Sequence, residues 1–295
     1  MRLTELPASQ QTILITGCST GIGYYTAKRL HDEGYRVFAT ARKPTDVERL
    51  QSEGLNAHQL DVRDPSSIDT ALEWVLDQTD GQLFALFNNG AYGQPGAVED
   101  LSREVLKEQF ETNVFGWHDL TCKVLKVMRQ QGYGRIVQNS SVLGLISMKY
   151  RGAYNASKYA IEGLTDTMRQ ELDGSGIYIA LVEPGPIRSE FRNNAYQKFK
   201  DNIDTQNSAH RAVYQAVEKR LSAKSAGAKS PDEDAPFTLG PDAVYMAVFQ
   251  AFNSKSPKAH YYVTFPTYLF GYLKRVLPTK WLDRLLIKIS ESENK

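Results

Sequence analysis

Short runs of consecutive apolar residues alternate along the chain with longer segments that have the periodicity of helices. The runs predict six β-strands, at residues 12–15, 35–40, 58–60, 83–87, 134–138 and 177–182. The longer segments predict helices at residues 21–33, 65–79, 102–130 and 153–172. Strands that are apolar on successive residues are typical of sheets covered on both faces, and alternation with helices indicates parallel β-α-β units. We therefore predict an α/β fold with a doubly wound, mainly parallel β-sheet flanked by helices.

Glycines, prolines and polar residues follow several predicted strands at the point where each strand ends. They are Gly17, Asp61, Asn88, Ser141 and Pro184. In open parallel sheets, ligands bind beyond the carboxyl ends of the strands. The sequence therefore predicts a ligand site at that edge.

The composition is that of one large globular domain, with 295 residues, 41% of them hydrophobic and 23% charged. The formal net charge is +1, so we expect no nucleic-acid partner. Cys18 and Cys122 lack the clustered neighbours of a zinc site and are typical of reduced thiols. We expect a cytoplasmic protein without a metal centre.

Two segments depart from the strand–helix alternation. Residues 190–236 are polar and partly helical, with a flexible loop predicted at 223–236. Their place after the sixth predicted strand favours a substrate lid, and a plain surface loop is the alternative. We assign residues 1–260 to a single domain and residues 261–295 to a hydrophobic helical extension.

Apolar residues recur at helical spacing in this extension: they are Trp281, Leu282, Leu285, Leu286 and Ile289. We expect the helix to dock on the body of the protein or on a partner subunit. The alternatives are peripheral contact with a membrane surface or a place lining an apolar substrate mouth. The segment Met1–Gln11 lacks a secretion signal, and no run of 18 apolar residues predicts a transmembrane helix.

A glycine-rich turn follows the first strand and opens the first helix. Glycines there permit a tight turn and close backbone approach to a pyrophosphate, which the helix N-terminus then faces. The candidate cofactor contacts in this turn are Gly17, Ser19, Thr20, Gly21, Ile22 and Gly23. The alternative is a turn that only packs the helix.

The end of the second strand favours NADP(H) over NAD(H). Sites for NAD place an acid about 20 residues beyond the glycines, but here Arg42 and Lys43 stand near that position and the first acid is Asp46. An arginine there can pair with a 2′-phosphate. The alternative is that both cations are solvated loop charges.

The next two strand ends supply candidates for the adenosine part of the cofactor. We expect Asp61 to accept a hydrogen bond from the adenine amino group and Val62 to pack on its ring. Asn88 and Gly90 would lie beside the adenine ribose. Alternatively, Asp61 could cap the helix that begins at Pro65.

Tyr154 and Lys158 are four residues apart at a predicted helix start and so share a helix face. A nearby ammonium lowers the pKa of a phenol, which normally lies near ~10. A tyrosine tuned in this way can exchange a proton with a carbonyl or an alcohol. The same spacing occurs at Tyr24/Lys28 and Tyr196/Lys200, so spacing alone does not decide which pair acts.

Together these motifs resemble the short-chain dehydrogenase/reductase family, which has a Rossmann-type fold. The motifs that carry the resemblance, in chain order, are the glycine turn from Thr16 to Gly23, Asn88-Asn89-Gly90, Asn113, Ser140-Ser141, Tyr154 with Lys158, and Pro184-Gly185. The chain is most similar to bacterial NADP-dependent aldehyde reductases and to the retinol and hydroxysteroid dehydrogenase branch. One departure is Ala91, which follows Gly90 where the family has alanine and then glycine. It would be strained if its φ were positive.

The resemblance implies a role for each matching residue. Tyr154 donates the proton, Lys158 lowers its pKa and binds the nicotinamide ribose, and Ser141 orients the substrate oxygen. Asn113 holds a water in a proton relay, or only bends its helix. At the nicotinamide end, the implied cofactor contacts are Pro184, Gly185, Ile187 and Ser189.

The substrate is less well specified by the sequence. The resemblance places Ser141 in the pocket together with the apolar or aromatic residues Tyr92, Leu143, Tyr150, Pro186 and Phe191. This favours reduction of a hydrophobic aldehyde or ketone. Alternatives are oxidation of a retinoid or steroid alcohol, and a non-catalytic NADP(H)-binding regulator. The resemblance also implies a homodimer or homotetramer formed through the helices at 102–130 and 153–172.

Overall fold

A computed structural model describes residues 7–222 and 237–293. Its centre is a parallel sheet of seven strands in the order β3-β2-β1-β4-β5-β6-β7. The strands are β1 (Thr12–Ile15), β2 (Arg36–Ala41), β3 (Asn56–Gln59), β4 (Ala85–Asn88), β5 (Gly134–Asn139), β6 (Ile177–Glu183) and β7 (His260–Tyr262). The predicted doubly wound parallel sheet is confirmed. The three-residue edge strand β7 was not predicted, because so short a run carries no recognisable pattern.

Eleven α-helices surround the sheet within the described ranges. They are α1 (Gly21–Asp32), α2 (Pro44–Ser52), α3 (Pro65–Asp77), α4 (Arg103–Phe110), α5 (Gly116–Gln131), α6 (Gly152–Glu171), α7 (Phe191–Asn202), α8 (Arg211–Ser222), α9 (Pro241–Asn253), α10 (Phe265–Val276) and α11 (Thr279–Glu293). A π-helical turn at Glu111–Phe115 joins α4 to α5. The predicted helix at 102–130 is therefore two α-helices, and α2 and α9 were not predicted.

The two faces of the sheet bury two separate cores. Ile13 and Ile15 of β1 pack with Leu30 of α1 and Val248 of α9. Leu14, on the opposite face, packs with residues of α3 and α5. Successive side chains of a strand point to opposite faces, so an unbroken apolar run is needed where both faces are covered.

The segment after β6 folds partly as predicted. Helices α7 and α8 cover a third apolar cluster built from Ala97, Phe199 and Tyr214. The predicted flexible loop at 223–236 lies outside the described residues. Helices α10 and α11 pack on a fourth cluster, described with the site below. Of the helices in the described ranges, none is long and apolar enough to cross a bilayer.

Candidate active site

The glycine turn brings two backbone segments into direct contact. Gly17 and Gly21 both have positive φ, +71° and +60°. A Cβ atom at Gly17 would lie 2.5 Å from Cα of Gly90, and one at Gly23 would lie 2.3 Å from the carbonyl oxygen of Gly17. No side chain fits at these positions. The backbone N–H groups at the N-terminus of α1 can therefore be approached closely by an anion. The turn fits the predicted pyrophosphate contact.

Asn89 holds this turn together, whereas Asn88, expected beside the adenine ribose, does not contact the turn through its side chain. Asn89 Nδ2 donates to the carbonyl oxygens of Thr16 and Gly17, at 3.0 and 3.2 Å. Its Oδ1 accepts from Asn139 Nδ2 at 2.9 Å. The side chain of Asn88 is fully buried and donates instead to Thr121 on α5. Successive residues at the end of a strand point their side chains to opposite faces of the sheet. A single sequence does not show whether Asn88 or Asn89 faces the glycine turn.

The departure at Ala91 carries no backbone strain. Ala91 is not among the residues with positive φ, and neither is Gly90. The carbonyl oxygen of Gly90 accepts a hydrogen bond of 2.8 Å from the Trp117 indole. The predicted cost of the swap therefore does not arise.

The carboxyl end of β2 presents two cations to solvent. Arg42 and Lys43 are exposed and lie directly beyond the strand. Nearby, Asp61 forms an ion pair with Arg63 at 2.7 Å, which helps to hold the pKa of the Asp61 carboxyl below its usual value despite partial burial. The cap of α3 is Asp64 and not Asp61, because Asp64 accepts from the Ser66 amide. Val62 is buried beside Gly116 at the start of α5.

The loop after β6 closes over the glycine turn. A Cβ atom at Gly21 would lie 3.0 Å from Cβ of Ser189. The carbonyl oxygen of Pro184 accepts from the Val142 amide at 2.9 Å, which ties this loop to the residue after Ser141. Gly185 packs against Thr264, and Ile187 pairs with Leu239. The predicted nicotinamide-end residues thus lie between the glycine turn and Ser141.

Tyr154 lies in the first turn of α6, with Ser141 close enough to its phenol to affect the pKa of that group. Burial raises the pKa of Tyr154 to about 12, and Ser141 opposes that rise. The direction is opposite to the depressed pKa predicted from spacing. Desolvation disfavours a phenolate more strongly than the neighbouring groups favour it, so the phenol keeps its proton at neutral pH.

Lys158 is almost fully buried, with 1% of its surface exposed. Its Nζ donates to the carbonyl oxygen of Asn139 at 2.6 Å and lies 4.4 Å from the centroid of the Trp117 ring. Burial lowers the pKa of Lys158 to about 7, and the charge of Glu162 opposes the fall. The centroid of the Tyr154 ring is 5.5 Å from the same Nζ. The predicted pair is therefore adjacent, although its ammonium is largely desolvated.

Asn113 connects the catalytic helix to the loop after β4. It lies in the π-helical turn, a feature frequent at functional sites, and is fully buried. Its Nδ2 donates to the Tyr92 carbonyl oxygen at 2.9 Å and to Ser157 Oγ at 3.1 Å. Its Oδ1 accepts from the Tyr92 amide. This side chain fixes α6 beside the loop that carries Tyr92.

The two other tyrosine–lysine pairs point elsewhere. Tyr24 interacts with Glu53, and Lys28 forms an ion pair with Asp32 at 3.4 Å. Lys200 lies over the ring of Tyr196 at 4.7 Å, within α7. Neither pair has a serine placed as Ser141 is, so the structure brings only Tyr154 and Lys158 together with such a partner.

An apolar wall stands beside Tyr154. The buried residues of this wall come from three parts of the chain: Leu143, Ile146, Phe270 and Leu286. Tyr154 and Met148 pack on it, as do Leu282, Leu285 and Ile289 of α11. The ring of Phe191 makes an edge-to-face contact with Tyr154, with the centroids 5.2 Å apart. The C-terminal extension therefore docks on the body of the protein, as expected from its helical spacing, and it does so beside Tyr154.

Other predicted pocket residues lie apart from this wall. Tyr150 packs on the cluster of α7 and α8, and its hydroxyl is 3.4 Å from His210 Nδ1. The φ of Tyr150 is +61°, in the left-handed region, and the sequence does not reveal this conformation. The ring of Tyr92 lies under Lys198 of α7, at 5.1 Å. Pro186 contributes a carbonyl oxygen to the Leu239 amide.

Two carboxylates and an imidazole cluster behind Lys158. Their ligand atoms, from Glu162, Glu183 and His260, lie within 4.8 Å of one another. His260 Nδ1 donates to Glu183 Oε1 at 2.6 Å, so a shared proton already joins two of the three groups. A separate groove of about 540 Å³, between β7, α9 and α10, includes none of the catalytic residues in its lining.

The profile of the short chain dehydrogenase family matches residues 11–200. This chain belongs to the short-chain dehydrogenase/reductase family. The match covers the glycine turn, Ser141, Tyr154 and Lys158, and the fold agrees. The protein is therefore an oxidoreductase of the class that acts on CH–OH groups with a nicotinamide cofactor.

Three similar proteins illustrate the range of relatives within this family. An uncharacterized oxidoreductase, YbbO of Escherichia coli, is 43% identical over 277 residues, covering 94% of both chains. An NADPH-dependent 3-dehydrocapnine reductase of Ornithobacterium rhinotracheale is 29% identical over 283 residues, covering 93% of this chain and 95% of its own. Retinol dehydrogenase 8 of Homo sapiens is 37% identical over 196 residues, covering 63% and 62%. Similarity to the retinol dehydrogenases, expected from the sequence, is confirmed.

Solved structures agree on the fold. A short-chain dehydrogenase from Streptomyces avermitilis superposes with a TM-score of 0.73 at 25% identity, covering 98% of this chain and 97% of its own. Structures of similar fold hold NADPH in one case and NAD in another. The fold alone therefore does not choose between the two cofactors.

Proposed function

We propose that the protein reduces hydrophobic aldehydes or ketones to alcohols with NADPH, using Tyr154 as the proton donor. The observation that carries the proposal is the position of Tyr154, beside Ser141 and packed against the wall of Leu143, Phe270 and Leu286. A carbonyl oxygen placed between the two hydroxyls would have its apolar substituents against that wall. Carbonyl-dependent NADPH oxidation across a panel of aldehydes and ketones tests this proposal.

The residues of this site divide the work on the substrate oxygen. Ser141 donates a hydrogen bond that orients the oxygen, and Tyr154 supplies the proton. The bound nicotinamide supplies the hydride chemistry. Lys158 stabilises negative charge that develops on the phenol, and the apolar wall excludes water from the reacting oxygen. Asn113 fixes α6 in place and, from the family resemblance, would hold a relay water.

The protonated phenol of Tyr154 is compatible with the reductive direction of the proposal. With its pKa raised to about 12, the phenol is protonated at neutral pH and can act as an acid without prior loss of its proton. An oxidative alcohol dehydrogenase would need the phenolate instead. Rates of NADPH oxidation and NADP⁺ reduction at matched substrate concentrations separate these two directions.

The NADP(H) preference rests on charge at the end of β2. Arg42 and Lys43 are exposed where an adenosine 2′-phosphate would lie, and no acid precedes Asp46 there. The similar 3-dehydrocapnine reductase is named as NADPH-dependent. The glycine turn fits the pyrophosphate, with Gly17, Ser19, Thr20, Gly21, Ile22 and Gly23 as its contacts. Comparable kcat/KM values for NADPH and NADH would contradict the preference.

Helix α11 and the body of the protein both contribute to the proposed preference for hydrophobic substrates. Leu282, Leu285 and Ile289 extend the apolar surface beyond Leu143. A long or bulky apolar substituent would be buried more fully than a small one, and each buried methylene contributes about 0.8 kcal/mol. We propose that α7 and α8 act as the lid, with Phe191 over the catalytic tyrosine.

Assembly and location are further parts of the proposal. Leu106 and Phe115, on α4 and in the π-helical turn, leave large apolar surfaces exposed, which favours a homodimer or homotetramer through α4, α5 and α6. Light scattering coupled to size exclusion measures the oligomeric state. Free thiols at Cys18 and Cys122 favour the cytoplasm.

Peripheral membrane contact is proposed for the outer face of α11. Lys280, Arg284 and Lys288 form an exposed row one turn apart, and Trp281 beside them is 66% exposed. Basic residues with an interfacial aromatic favour anionic lipid surfaces. Co-sedimentation with anionic vesicles, compared with neutral vesicles, checks this contact.

A further inference from the structure

The cluster of Glu162, Glu183 and His260 joins three elements near the candidate catalytic residues. Glu162 lies on α6, one turn beyond Lys158. Glu183 ends β6, directly before the Pro184-Gly185 loop. His260 begins β7 and binds Glu183, so the cluster joins the catalytic helix to the nicotinamide-end loop and the edge strand.

The members of the cluster lie at short range, with both glutamates buried and the His260 side chain 28% exposed. His260 Nδ1 is 2.6 Å from Glu183 Oε1 and 4.0 Å from Glu162 Oε2. Glu183 has no exposed surface, and its Oε2 accepts from the Tyr261 amide at 3.1 Å. Glu162 is 9% exposed. One imidazolium therefore faces two buried carboxylates. Because the two negative charges repel each other, both carboxylates do not ionise easily at once.

Glu162 also reaches the loop that carries Ser141. A Cβ atom at Gly144 would lie 2.7 Å from Ser140 Oγ and 2.9 Å from Glu162 Oε1. Ser140 is buried and is the residue before Ser141. The carboxyl group of Glu162 therefore lies beside the serine loop, and Glu162 is four residues from Lys158 on the same helix.

We propose that Glu162, supported by Glu183 and His260, is a positioning residue that keeps Lys158 in its ammonium form beside Tyr154. This rests on the proposed function. Residues four apart on a helix share a face, and Glu162 is the acid that opposes the desolvation of Lys158. Burial raises the pKa of Glu162 to about 7 and also raises the pKa of Glu183, and His260 opposes both rises. His260 thereby extends the pH range over which Glu162 carries the charge that acts on Lys158.

Other titratable groups face the cluster, but they do not take over the role proposed for Glu162. Asp166, one turn beyond Glu162, is 3.6 Å from His260 Nε2 and forms an ion pair with Arg169 at 2.6 Å. Its side chain is 43% exposed, so water screens its charge. Tyr262 of β7 faces the carboxylates, which help to raise the pKa of that phenol. Around Lys158 itself lie Tyr154, Trp117 and the Asn139 carbonyl.

Trp117 gives a direct report on the charge of Lys158, because the ammonium lies over its indole ring. The chain has three tryptophans. Trp74 stacks on His58 at 4.8 Å and would respond to that imidazole. In a Trp74→Phe/Trp281→Phe background, the pH dependence of fluorescence should therefore follow Lys158. Lys158→Met should remove the transition.

In this background, Glu162→Gln should lower the pH midpoint of the Trp117 transition by about one unit. Removing a nearby opposite charge shifts the pKa of a lysine by about that much. His260→Gln should lower it less, and His260→Arg should keep it near the wild-type value. Glu171→Gln, an exposed acid on the same helix, is the matched control and should leave it unchanged.

The same variants should move the pH profile of carbonyl reduction, with the alkaline limb of kcat/KM falling at lower pH in Glu162→Gln. An unchanged Trp117 midpoint in Glu162→Gln overturns the inference, even if the enzyme reduces carbonyls as proposed. A shifted midpoint in a protein that shows no carbonyl-dependent NADPH oxidation leaves the inference standing and refutes the proposed function instead.

Discussion

The ring of Phe191, at the first turn of α7, meets the ring of Tyr154 edge to face at a centroid distance of 5.2 Å. Phe191 also packs on Gly93, where a Cβ atom would come within 2.8 Å of its ring. A side chain from the predicted lid thus covers the catalytic phenol while remaining 37% exposed itself. Under the proposed function, substrate would share this space with Phe191.

Phe191→Ala should raise KM for a bulky hydrophobic aldehyde by about tenfold and change kcat little, since an aromatic contact contributes roughly 1 kcal/mol beyond its buried area. Steady-state kinetics with matched long and short aldehydes measure the effect. Phe265→Ala, which removes an exposed ring of α10, is the control. Equal KM values in wild type and Phe191→Ala would show that this ring does not contact substrate.

Arg42→Ala should lower kcat/KM with NADPH by roughly tenfold to a hundredfold, because hydrogen bonds to a charged group contribute about 1.5–3 kcal/mol. The value with NADH should change little, because NADH lacks the 2′-phosphate. Arg36→Ala, at the opposite end of β2, is the matched control. Parallel losses with both cofactors would indicate that Arg42 supports the fold and does not read the phosphate.

Gly17→Ala should abolish nucleotide binding and destabilise the protein, because the added methyl would lie 2.5 Å from Cα of Gly90. Gly34→Ala provides a control with the same kind of backbone strain: its φ is +87°, but no atom lies within 4 Å of the added methyl. That control should cost only about 1 kcal/mol. Thermal unfolding and NADPH titration of both variants separate steric contact from backbone strain, and equal losses would refute the close-approach argument.

Lys158→Met should increase the free energy of unfolding at pH 7, by roughly 2 kcal/mol. The pKa of Lys158 is about 7 in the folded protein, below its ordinary value of 10.5. Between these values the unfolded chain binds the extra proton, so this lysine makes stability rise with pH from about 7 to 10.5. Denaturant unfolding across that range should show the rise in wild type and not in the methionine variant. A pH-independent difference between the two proteins would count against a desolvated lysine.

Much of the fold was predictable, because strands such as β1, β4 and β6 are marked by the apolar runs that two-sided burial requires. Strand β7 was not predicted, since His260–Tyr262 is defined only by its pairing with β6. The contacts of α11 with Leu143 were not predictable either: helical spacing shows that Leu282 and Leu286 share a face, but not what that face meets.

The site was predictable where residue type and spacing carry the chemistry, as at Gly17, Tyr154 and Lys158. It was less predictable where burial or backbone geometry decides. The pKa of Tyr154 is raised and not lowered because desolvation depends on the surrounding fold. The resemblance places Tyr150 in the pocket, and the sequence shows neither its positive φ nor its packing on the cluster of α7 and α8.

Carbonyl-dependent NADPH oxidation by wild type and Tyr154→Phe, measured beside NADPH affinity, tests the central claim most directly. We predict that wild type oxidises NADPH with a hydrophobic aldehyde. The phenylalanine variant should lose about a hundredfold or more of kcat, as expected when a general acid is removed, while NADPH still binds. Turnover near the wild-type rate in Tyr154→Phe would contradict the assignment of Tyr154 as the proton donor.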